Sequence, residues 1–198
     1  MALRALIAGA ALAAIPTAAA QADLISTGAC DGATLSAPFA QWGDSSSYKL
    51  IPGGNFENGG AGWTFTGKAH TAAGSDPFGI TGSVGSSSLS LPAGSSAQSP
   101  FTCVNAAYPT FRLMARQSGL LSSTLIQVVY TVPGIGQVAI PVGASALSNS
   151  WRPSLPMLTA SAVPGVLSGG TAQVALRFTQ LLGSAQIDDV FVDPRMKR

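Results

Sequence analysis

Short apolar runs separated by glycine, proline and serine are the main pattern of this chain. Two of the runs alternate apolar and polar positions, Phe111 to Arg116 and Thr171 to Thr179. In the second run Val174, Leu176 and Phe178 fall on one side, with polar residues on the other. Alternation with a period of two is typical of a half-buried strand. The pattern therefore predicts β-structure.

A hairpin is predicted in the middle of the chain. Thr124 to Val132 is its strongest apolar and β-branched run. Pro133-Gly134 follows directly, and this pair is typical of a type II turn. Gln137 to Val142 then supplies the returning strand.

Weaker strand candidates complete the fold. They are Tyr48 to Ile51, Trp63 to Gly67, Ser88 to Leu91, Ala97 to Phe101 and Ala185 to Val192. With the stronger runs they make about eight to ten strands at the spacing of an antiparallel two-sheet sandwich. After the first 22 residues no run has helical spacing over three turns, so any helix is expected to be a single turn.

The N-terminus has the pattern of a secretory signal peptide at residues 1–22. Arg4 precedes an apolar stretch, and Ala20-Gln21-Ala22 is a small-x-small cleavage site. The stretch is broken by Pro16 and is shorter than the roughly 20 residues that span a bilayer, so no membrane insertion is expected. We predict a secreted protein with an N-terminal arm at 23–47 and one β-sandwich domain at 48–198.

Charge narrows the range of partners. The net charge is +2 and only 9% of residues are charged, so the basic surface expected of a nucleic-acid-binding protein is missing. We expect no nucleic-acid partner. The length is sufficient for a single core, and we expect a monomer.

The two cysteines predict a disulfide. Cys30 and Cys103 are the only cysteines of the chain, and an even number in an exported protein normally means a bridge. Closing a loop of this length would stabilise the fold by roughly 4 kcal/mol in the chain-entropy model. The alternative is two buried thiols.

Residues 55–63, NFENGGAGW, contain the only glutamate of the chain, Glu57. Glycines at 59, 60 and 62 allow the turn between two strands through positive φ angles. Trp63 then begins a strand. Such a tryptophan is more often part of a core than a ligand platform, although both roles stay open.

Three motifs in order point to a known family. They are PGGNFE at 52–57 with GW at 62–63, SSLSL at 87–91, and IDDVFV at 187–192. That succession resembles the galactose-binding-like jelly rolls, especially the carbohydrate-binding modules of bacterial polysaccharide hydrolases, over residues 48–193. The family often has an arginine before the Ser-Leu pair, where Ser87 or Ser88 stands in this chain. A ligand contact or salt bridge of the family is therefore absent at this place.

The resemblance implies a structural calcium ion. In such modules the first and last strands are commonly neighbours, and calcium joins the early carboxylate to the late IDD motif. Glu57 with Asp188 or Asp189 is the implied ligand set, and carboxylates with turn carbonyls suit calcium. Because neighbouring residues of a strand point to opposite faces, only one of the two aspartates is expected to serve. The alternative is that Glu57 caps the amides of the glycine turn without an ion.

Carbohydrate binding needs aromatic faces and a few polar groups that fix hydroxyls. The residues selected for this role are Trp151, Arg152, Trp63, Tyr108 and Arg112, from a wider set with Trp42, Tyr48, Asn55, His70 and Arg116. Trp151-Arg152 is the preferred pair because it follows a predicted loop, Ser148-Asn149-Ser150. Its alternative is a tryptophan that covers the edge of the sandwich.

Three functions are compatible with these patterns. The first is a non-catalytic module that binds an extracellular polysaccharide or a cell-surface glycan. The second is a structural or adhesion protein with the same fold and no specific glycan. The third is a hydrolytic enzyme, which is disfavoured because the chain has one glutamate and seven aspartates and no nucleophile or metal-hydrolase motif.

Overall fold

A computed structural model of the protein describes residues 31–105, 110–132, 134–145, 148–159 and 171–193. The described part contains eleven strands and a single 3₁₀ turn, Ala40–Trp42. The strands are β1 (Lys49–Leu50), β2 (Thr64–Thr66), β3 (His70–Ala73), β4 (Ser87–Pro92), β5 (Ser96–Gln98), β6 (Thr102–Asn105), β7 (Thr110–Val132), β8 (Gly136–Ser145), β9 (Arg152–Pro153), β10 (Met157–Leu158) and β11 (Thr171–Asp193). The predicted all-β class is confirmed.

Two strands of 23 residues, β7 and β11, run through the whole fold. They pair with each other in antiparallel register from Ala175↔Val129 to Asp193↔Thr110, and the register shifts on either side of Leu182. Bulges of this kind bend a strand and increase its twist. The sequence predicted each long strand as two shorter ones, because serine and glycine interrupt the apolar alternation where the strands bend.

The bend divides the strands into two layers. The front layer joins the first half of β7 and the last half of β11 to β1, β3, β4, β9 and β10, and the back layer joins the other halves to β2, β5, β6 and β8. All these pairings are antiparallel. The predicted two-sheet sandwich is therefore confirmed.

The predicted hairpin is β7–β8. Its pairing runs from Thr124↔Ser145 to Val132↔Gly136. Ile135 N donates to Val132 O at 3.1 Å, and Gly134 has φ +78°. A type II turn requires a positive φ at its third residue, which glycine adopts at little cost.

The main core lies between the two layers. Val174, Leu176 and Phe178 of the back layer are buried against Leu113 and Ile187 of the front layer. Each such side chain contributes about 1.5–3 kcal/mol when it leaves water. The face predicted from the alternation of β11 is thus the core face.

The first and last strands are neighbours, as the resemblance implied. Lys49 pairs with Val192 and Leu50 with Phe191. Gly54 continues this contact, since its carbonyl accepts from Val190 N at 3.0 Å. A Cβ atom at Gly54 would lie 2.9 Å from the carbonyl oxygens of Ile51 and Val190. The glycine stretch therefore allows a close approach of two backbones, beside the IDD motif.

A second apolar cluster, here called the outer cluster, covers one end of the outer face of the front layer. Its buried members are Phe39, Tyr48, Met114, Trp151 and Phe191. Phe39 belongs to the segment that the sequence assigned to an N-terminal arm, and its ring meets Tyr48 and Phe191 edge to face at 5.2 and 5.7 Å. The end of that segment is packed onto the sandwich.

Several predictions concern the N-terminus and the disulfide. The signal peptide at 1–22 and Cys30 lie outside the described residues. Cys103 is half-buried in β6, and its bridge to Cys30 stays a prediction. Among the described residues no helix is long and apolar enough to cross a membrane.

Candidate functional site

Three buried aspartates form an acidic cluster at one end of the front layer. The carboxylate oxygens of Asp76, Asp188 and Asp189 lie within 4.8 Å of one another. Their exposed fractions are only 1%, 0% and 3%. Asp76 comes from the connection between β3 and β4, and the other two from β11. The cluster therefore joins two parts of the chain that are far apart in sequence.

A bulge brings both neighbouring aspartates to this cluster. The register of β11 against β7 shifts between Asp188 and Phe191, and Asp189 has φ +47°. A left-handed residue within a bulge breaks the alternation of faces. The expectation that Asp188 and Asp189 point to opposite faces is therefore wrong.

Three oxygens of the cluster accept hydrogen bonds, and one buried oxygen has no partner. Asp188 Oδ2 accepts from Ser75 Oγ at 2.6 Å and from Asp76 N at 3.1 Å, and Asp188 Oδ1 accepts from Asp189 N at 2.9 Å. Asp76 Oδ1 accepts from Phe78 N at 2.8 Å. Asp76 Oδ2 is buried and has no hydrogen-bond partner. A buried, unpaired carboxylate oxygen is costly.

The electrostatics of the cluster are unfavourable without a cation. Burial raises the pKa of Asp188 to about 6, against the opposing effect of its hydrogen bonds from Ser75, Asp76 and Asp189. Burial, and then repulsion from Asp188, raises the pKa of Asp189 far above its usual range. The ion pairs found in the described part of the chain are Lys49–Asp31 and Arg112–Asp44. Neither neutralises the cluster.

The donor set fits a hard divalent cation. All its side-chain ligands are carboxylates, without histidine or cysteine, and oxygen-only sites suit calcium, magnesium or manganese rather than zinc. The unpaired Asp76 Oδ2 marks a place where an ion would satisfy an oxygen that no protein donor reaches. Asp76, Asp188 and Asp189 are the residues that would hold it.

Glu57 lies beside the cluster but is engaged elsewhere. Its Oε1 accepts from Ser86 N at 2.8 Å and from Ser87 N at 2.9 Å, and its Oε2 accepts from Ser86 Oγ at 2.7 Å. A pocket of about 290 Å³ lies between Glu57 and the acidic cluster, and its lining includes Glu57, Asn55, Thr81, Ser83 and Asp189. Glu57 thus caps the start of β4, and not the glycine turn that follows it in sequence.

Gly85 provides a test of this cap. A Cβ atom at Gly85 would lie 2.4 Å from Glu57 Oε1 and 2.9 Å from Ser75 Oγ. We expect Gly85→Ala to displace the glutamate and to lower the free energy of unfolding by about 0.5–2 kcal/mol, by analogy with the loss of a helix N-cap. In a Glu57→Ala background the same substitution should cost much less. Urea unfolding of the four proteins measures the coupling, and an equal cost in both backgrounds would contradict the cap.

A second candidate site is a cleft on the outer face of the front layer, beside the outer cluster. Its volume is about 520 Å³. The cleft is lined by Ser90, Arg116, Gln117, Ser118, Asn149, Ser184, Ala185 and Gln186. The loop that contains Asn149 is held beside β7, since Gln117 N donates to Ser148 O at 2.9 Å. Seven of these eight residues are polar.

Cross-strand pairing explains the polar floor of the cleft. His70 is opposite Ser90, Ser90 is opposite Gln186, and Gln186 is opposite Arg116. Directly opposite residues of antiparallel strands share a face. The four side chains therefore form one row, here called the polar row, across β3, β4, β11 and β7.

Two residues selected as ligand contacts are part of the fold instead. Trp63 is buried in the main core, stacks on Phe178 with ring centres 6.1 Å apart, and donates from Nε1 to Pro52 O. Arg112 is buried, donates to Ser154 O at 2.8 Å, and pairs with Asp44 at 2.9 Å. Both side chains are buried and engaged within the fold, and their role as ligand contacts stays a prediction.

The remaining selected residues lie at the margin of the cleft or beyond the described chain. Trp151 is 8% exposed and belongs to the outer cluster, with the Arg116 guanidinium carbon 5.2 Å from its ring centre. Arg152 is exposed on β9. Tyr108 lies outside the described residues. Trp151 thus supports the wall of the cleft, which matches the alternative role of covering the edge of the sandwich.

Sequence reasoning missed four residues of these sites, Asp76, Ser90, Asn149 and Gln186. Asp76 has a detectable signal, because Ser75-Asp76-Pro77 is a charged turn in a chain with few charges. Gln186 directly precedes the IDD motif. Nothing in the sequence distinguishes Ser90 from the many other serines.

No protein-family model matches the sequence, and the comparison with curated proteins finds no relative. Among solved structures, the tandem domain CBM22-1–CBM22-2 of Xyn10C from Paenibacillus barcinonensis is similar with a TM-score of 0.52 and 12% identity, over 77% of this chain and 47% of that one. The CBM22-1 and GH10 modules of a Clostridium thermocellum xylanase, complexed with xylohexaose, match with a TM-score of 0.48 and 13% identity, over 76% of this chain and 28% of that one.

A protein of another kind is also similar. A Stig cyclase from Fischerella sp. TAU matches with a TM-score of 0.49 and 9% identity, over 75% of this chain and 97% of that one. Identities at this level concern the fold alone and say nothing of activity. The chain thus has the jelly-roll sandwich that is also found in carbohydrate-binding modules of family 22.

Proposed function

We propose that this protein is a secreted, non-catalytic sandwich that binds carbohydrate in the cleft of the front layer. The partner would be an extracellular polysaccharide or a cell-surface glycan. The observation that carries the proposal is the polar row, in which Ser90, Gln186 and Arg116 lie directly opposite one another on the cleft floor. The likeness in fold to a tandem carbohydrate-binding module supports it.

The chemistry of the cleft suits sugar hydroxyls. A hydroxyl group both donates and accepts a hydrogen bond, and serine, asparagine and glutamine side chains do the same. Neighbouring strands are about 4.8 Å apart, so a row across four strands extends over roughly 14 Å. A volume of about 520 Å³ falls within the range of small-ligand sites. Recognition here would rely on hydrogen bonds more than on aromatic stacking.

The proposal includes a calcium ion held by Asp76, Asp188 and Asp189. The ion would join the connection between β3 and β4 to the bulge of β11. Its positive charge would offset the repulsion among the three carboxylates. Its role would be structural. Asp188 lies on β11 two residues after Gln186, so an ion that holds the bulge would act on the part of the strand that lines the cleft. A fixed bulge would keep the end of β11 and its neighbouring cleft in place.

Retention on insoluble polysaccharides tests the binding function. We expect the wild-type protein to be retained and then released by the matching soluble oligosaccharide. The Asn149→Ala/Gln186→Ala variant, which removes two amide groups from the cleft, should bind about tenfold more weakly, since each hydrogen bond contributes about 0.5–1.5 kcal/mol. Titration calorimetry with the oligosaccharide gives both affinities.

Gln98→Ala is the matched control, because Gln98 lies on the back layer and pairs with Arg177 as Gln186 pairs with Arg116. This control should bind like the wild type. If no polysaccharide in a broad panel retains the wild-type protein, the binding function is wrong and a structural or adhesive role without a glycan takes its place.

A further inference from the structure

The guanidinium group of Arg116 is held in the cleft from two sides. Its Nε donates to Gln186 Oε1 at 2.5 Å, and its carbon Cζ lies 5.2 Å from the centre of the Trp151 ring. Trp151 is itself fixed in the outer cluster. These contacts set the position of the guanidinium group, while its two terminal nitrogens have no hydrogen-bond partner among the described residues.

The positive charge of Arg116 is also unpaired within the described chain. The ion pairs found there are Lys49–Asp31 and Arg112–Asp44. The residues that line the cleft with Arg116 are serine, glutamine, asparagine and alanine, without a carboxylate. A half-buried guanidinium group in such a cleft therefore attracts an anion.

Arg177 provides a comparison for Arg116 within the same fold. Arg177 is also a half-buried strand residue beside a glutamine, but both its Nε and its Nη2 donate to Gln98 Oε1, at 3.0 and 2.7 Å. Its glutamine therefore engages one terminal nitrogen, Nη2, whereas both terminal nitrogens of Arg116 have no hydrogen-bond partner among the described residues. A planar pair of N–H groups matches the two oxygens of a carboxylate.

We propose that the cleft binds an acidic glycan, a polysaccharide with uronic acid units. One uronate carboxylate would pair with the terminal nitrogens of Arg116, and neighbouring hydroxyl groups would bond to Ser90, Asn149 and Gln186. This inference rests on the proposed function, because it names the class of glycan for the same cleft. A neutral glycan would satisfy the amides and hydroxyls and leave the charge of Arg116 unpaired.

The test compares each acidic polymer with its own neutral form. Polygalacturonate, alginate and glucuronoxylan would each be titrated into the full chain beside the same polymer after reduction of its carboxyl groups. We expect at least one acidic polymer to bind about 10- to 100-fold more tightly than its reduced form, the range for a hydrogen bond to a charged group. The preference should decrease as salt increases, because counterions screen the charge.

Variants assign the preference to Arg116. Arg116→Met should remove it, and Arg116→Lys, which keeps the charge without the planar fork, should retain only a small part of it. Arg177→Met is the matched control, since it removes the same charge from the back layer, and it should keep the full preference. Near-ultraviolet circular dichroism checks that each variant is folded, and Arg116→Lys serves if Arg116→Met is not.

The outcomes separate this inference from the proposed function. Equal binding of acidic and reduced polymers would overturn the acidic class and leave carbohydrate binding intact. Binding of no polymer at all would overturn both. Dextran sulfate that binds as tightly as the uronates, to the wild type and to Arg116→Met alike, would show general anion exchange and would also overturn the inference.

Discussion

Millimolar calcium is expected to raise the midpoint of thermal unfolding, and a chelator is expected to lower it. A ligand present at 1,000 times its dissociation constant stabilises the folded state by about 4 kcal/mol. In a domain of this size that free energy corresponds to roughly 8–16 °C in the midpoint. The physical reason is the acidic cluster, where three buried carboxylates meet without a basic partner in the described chain.

The Asp189→Asn variant gives the sharper result. It removes a carboxylate that burial and repulsion already disfavour, so the calcium-free variant should unfold at a higher temperature than the calcium-free wild type. It should also lose the response to calcium, because one of three ligands is missing. A stabilising substitution that abolishes a ligand effect is the signature of a site kept for its ion.

Glu57→Gln is the matched control for charge. Its carboxylate caps Ser86 and Ser87, so the variant should start from a lower midpoint and keep the full calcium shift. A wild-type protein whose midpoint does not respond to calcium contradicts the metal site. If Glu57→Gln lost the calcium-induced shift of the midpoint and Asp189→Asn kept it, Glu57 would be a ligand of the ion.

The strands that the sequence predicted well are those whose pattern is local. Val174, Leu176 and Phe178 alternate within a few residues, and the β7–β8 hairpin is defined by adjacent turn residues. Short strands such as β3, β9 and β10 were missed because they have two to four residues and depend on a partner for their conformation. Pairing of this kind is determined by tertiary contacts.

The acidic cluster was predicted only in part, because it too depends on tertiary contacts. The IDD motif is visible in the sequence, but Asp76 lies 112 residues away from Asp188 in the chain. The bulge that places Asp189 beside Asp188 depends on the register against β7, and register is not a local property. The resemblance implies Glu57 as a ligand; its carboxylate accepts hydrogen bonds from Ser86 and Ser87, and its ligand role stays a prediction.

The cleft is less predictable still. Its floor holds Ser90, Gln186 and Arg116 from three strands, and of these only Arg116 stands out in the sequence. The aromatic residues that sequence analysis favoured are conspicuous because they are large. Large rings are also what a core and an outer cluster need, and Trp63 and Trp151 are buried for that reason.

Arg112→Met is expected to lower the free energy of unfolding by about 3 kcal/mol, the lower end of the range for breaking a buried ion pair. The guanidinium group lies 4.4 Å from the centre of the Phe39 ring, donates to Ser154 O, and pairs with Asp44. Only 7% of its side chain and 15% of that of Asp44 are exposed. Urea titration measures both changes. Arg177 has a neutral glutamine as its partner, so Arg177→Met should cost clearly less.

The pH dependence of unfolding tests whether the Arg112–Asp44 ion pair is the source of this loss of stability. Burial would raise the pKa of Asp44, but hydrogen bonds from Tyr48, Ser46 and Arg112 hold it well below the usual 3.8. A lowered pKa stabilises the folded state at neutral pH, and this contribution is lost as the pH falls through the folded-state pKa. Without Arg112 that pKa rises, so the variant should begin to lose the contribution at a higher pH. The difference between the wild type and the variant should therefore be largest above pH 5 and shrink as the pH falls toward 2, because Asp44 is neutralised in the variant at a higher pH than in the wild type. A difference that is constant from pH 7 to pH 2 would assign the effect to packing on Phe39, and the ion pair would then have no part in holding the N-terminal segment on the sandwich.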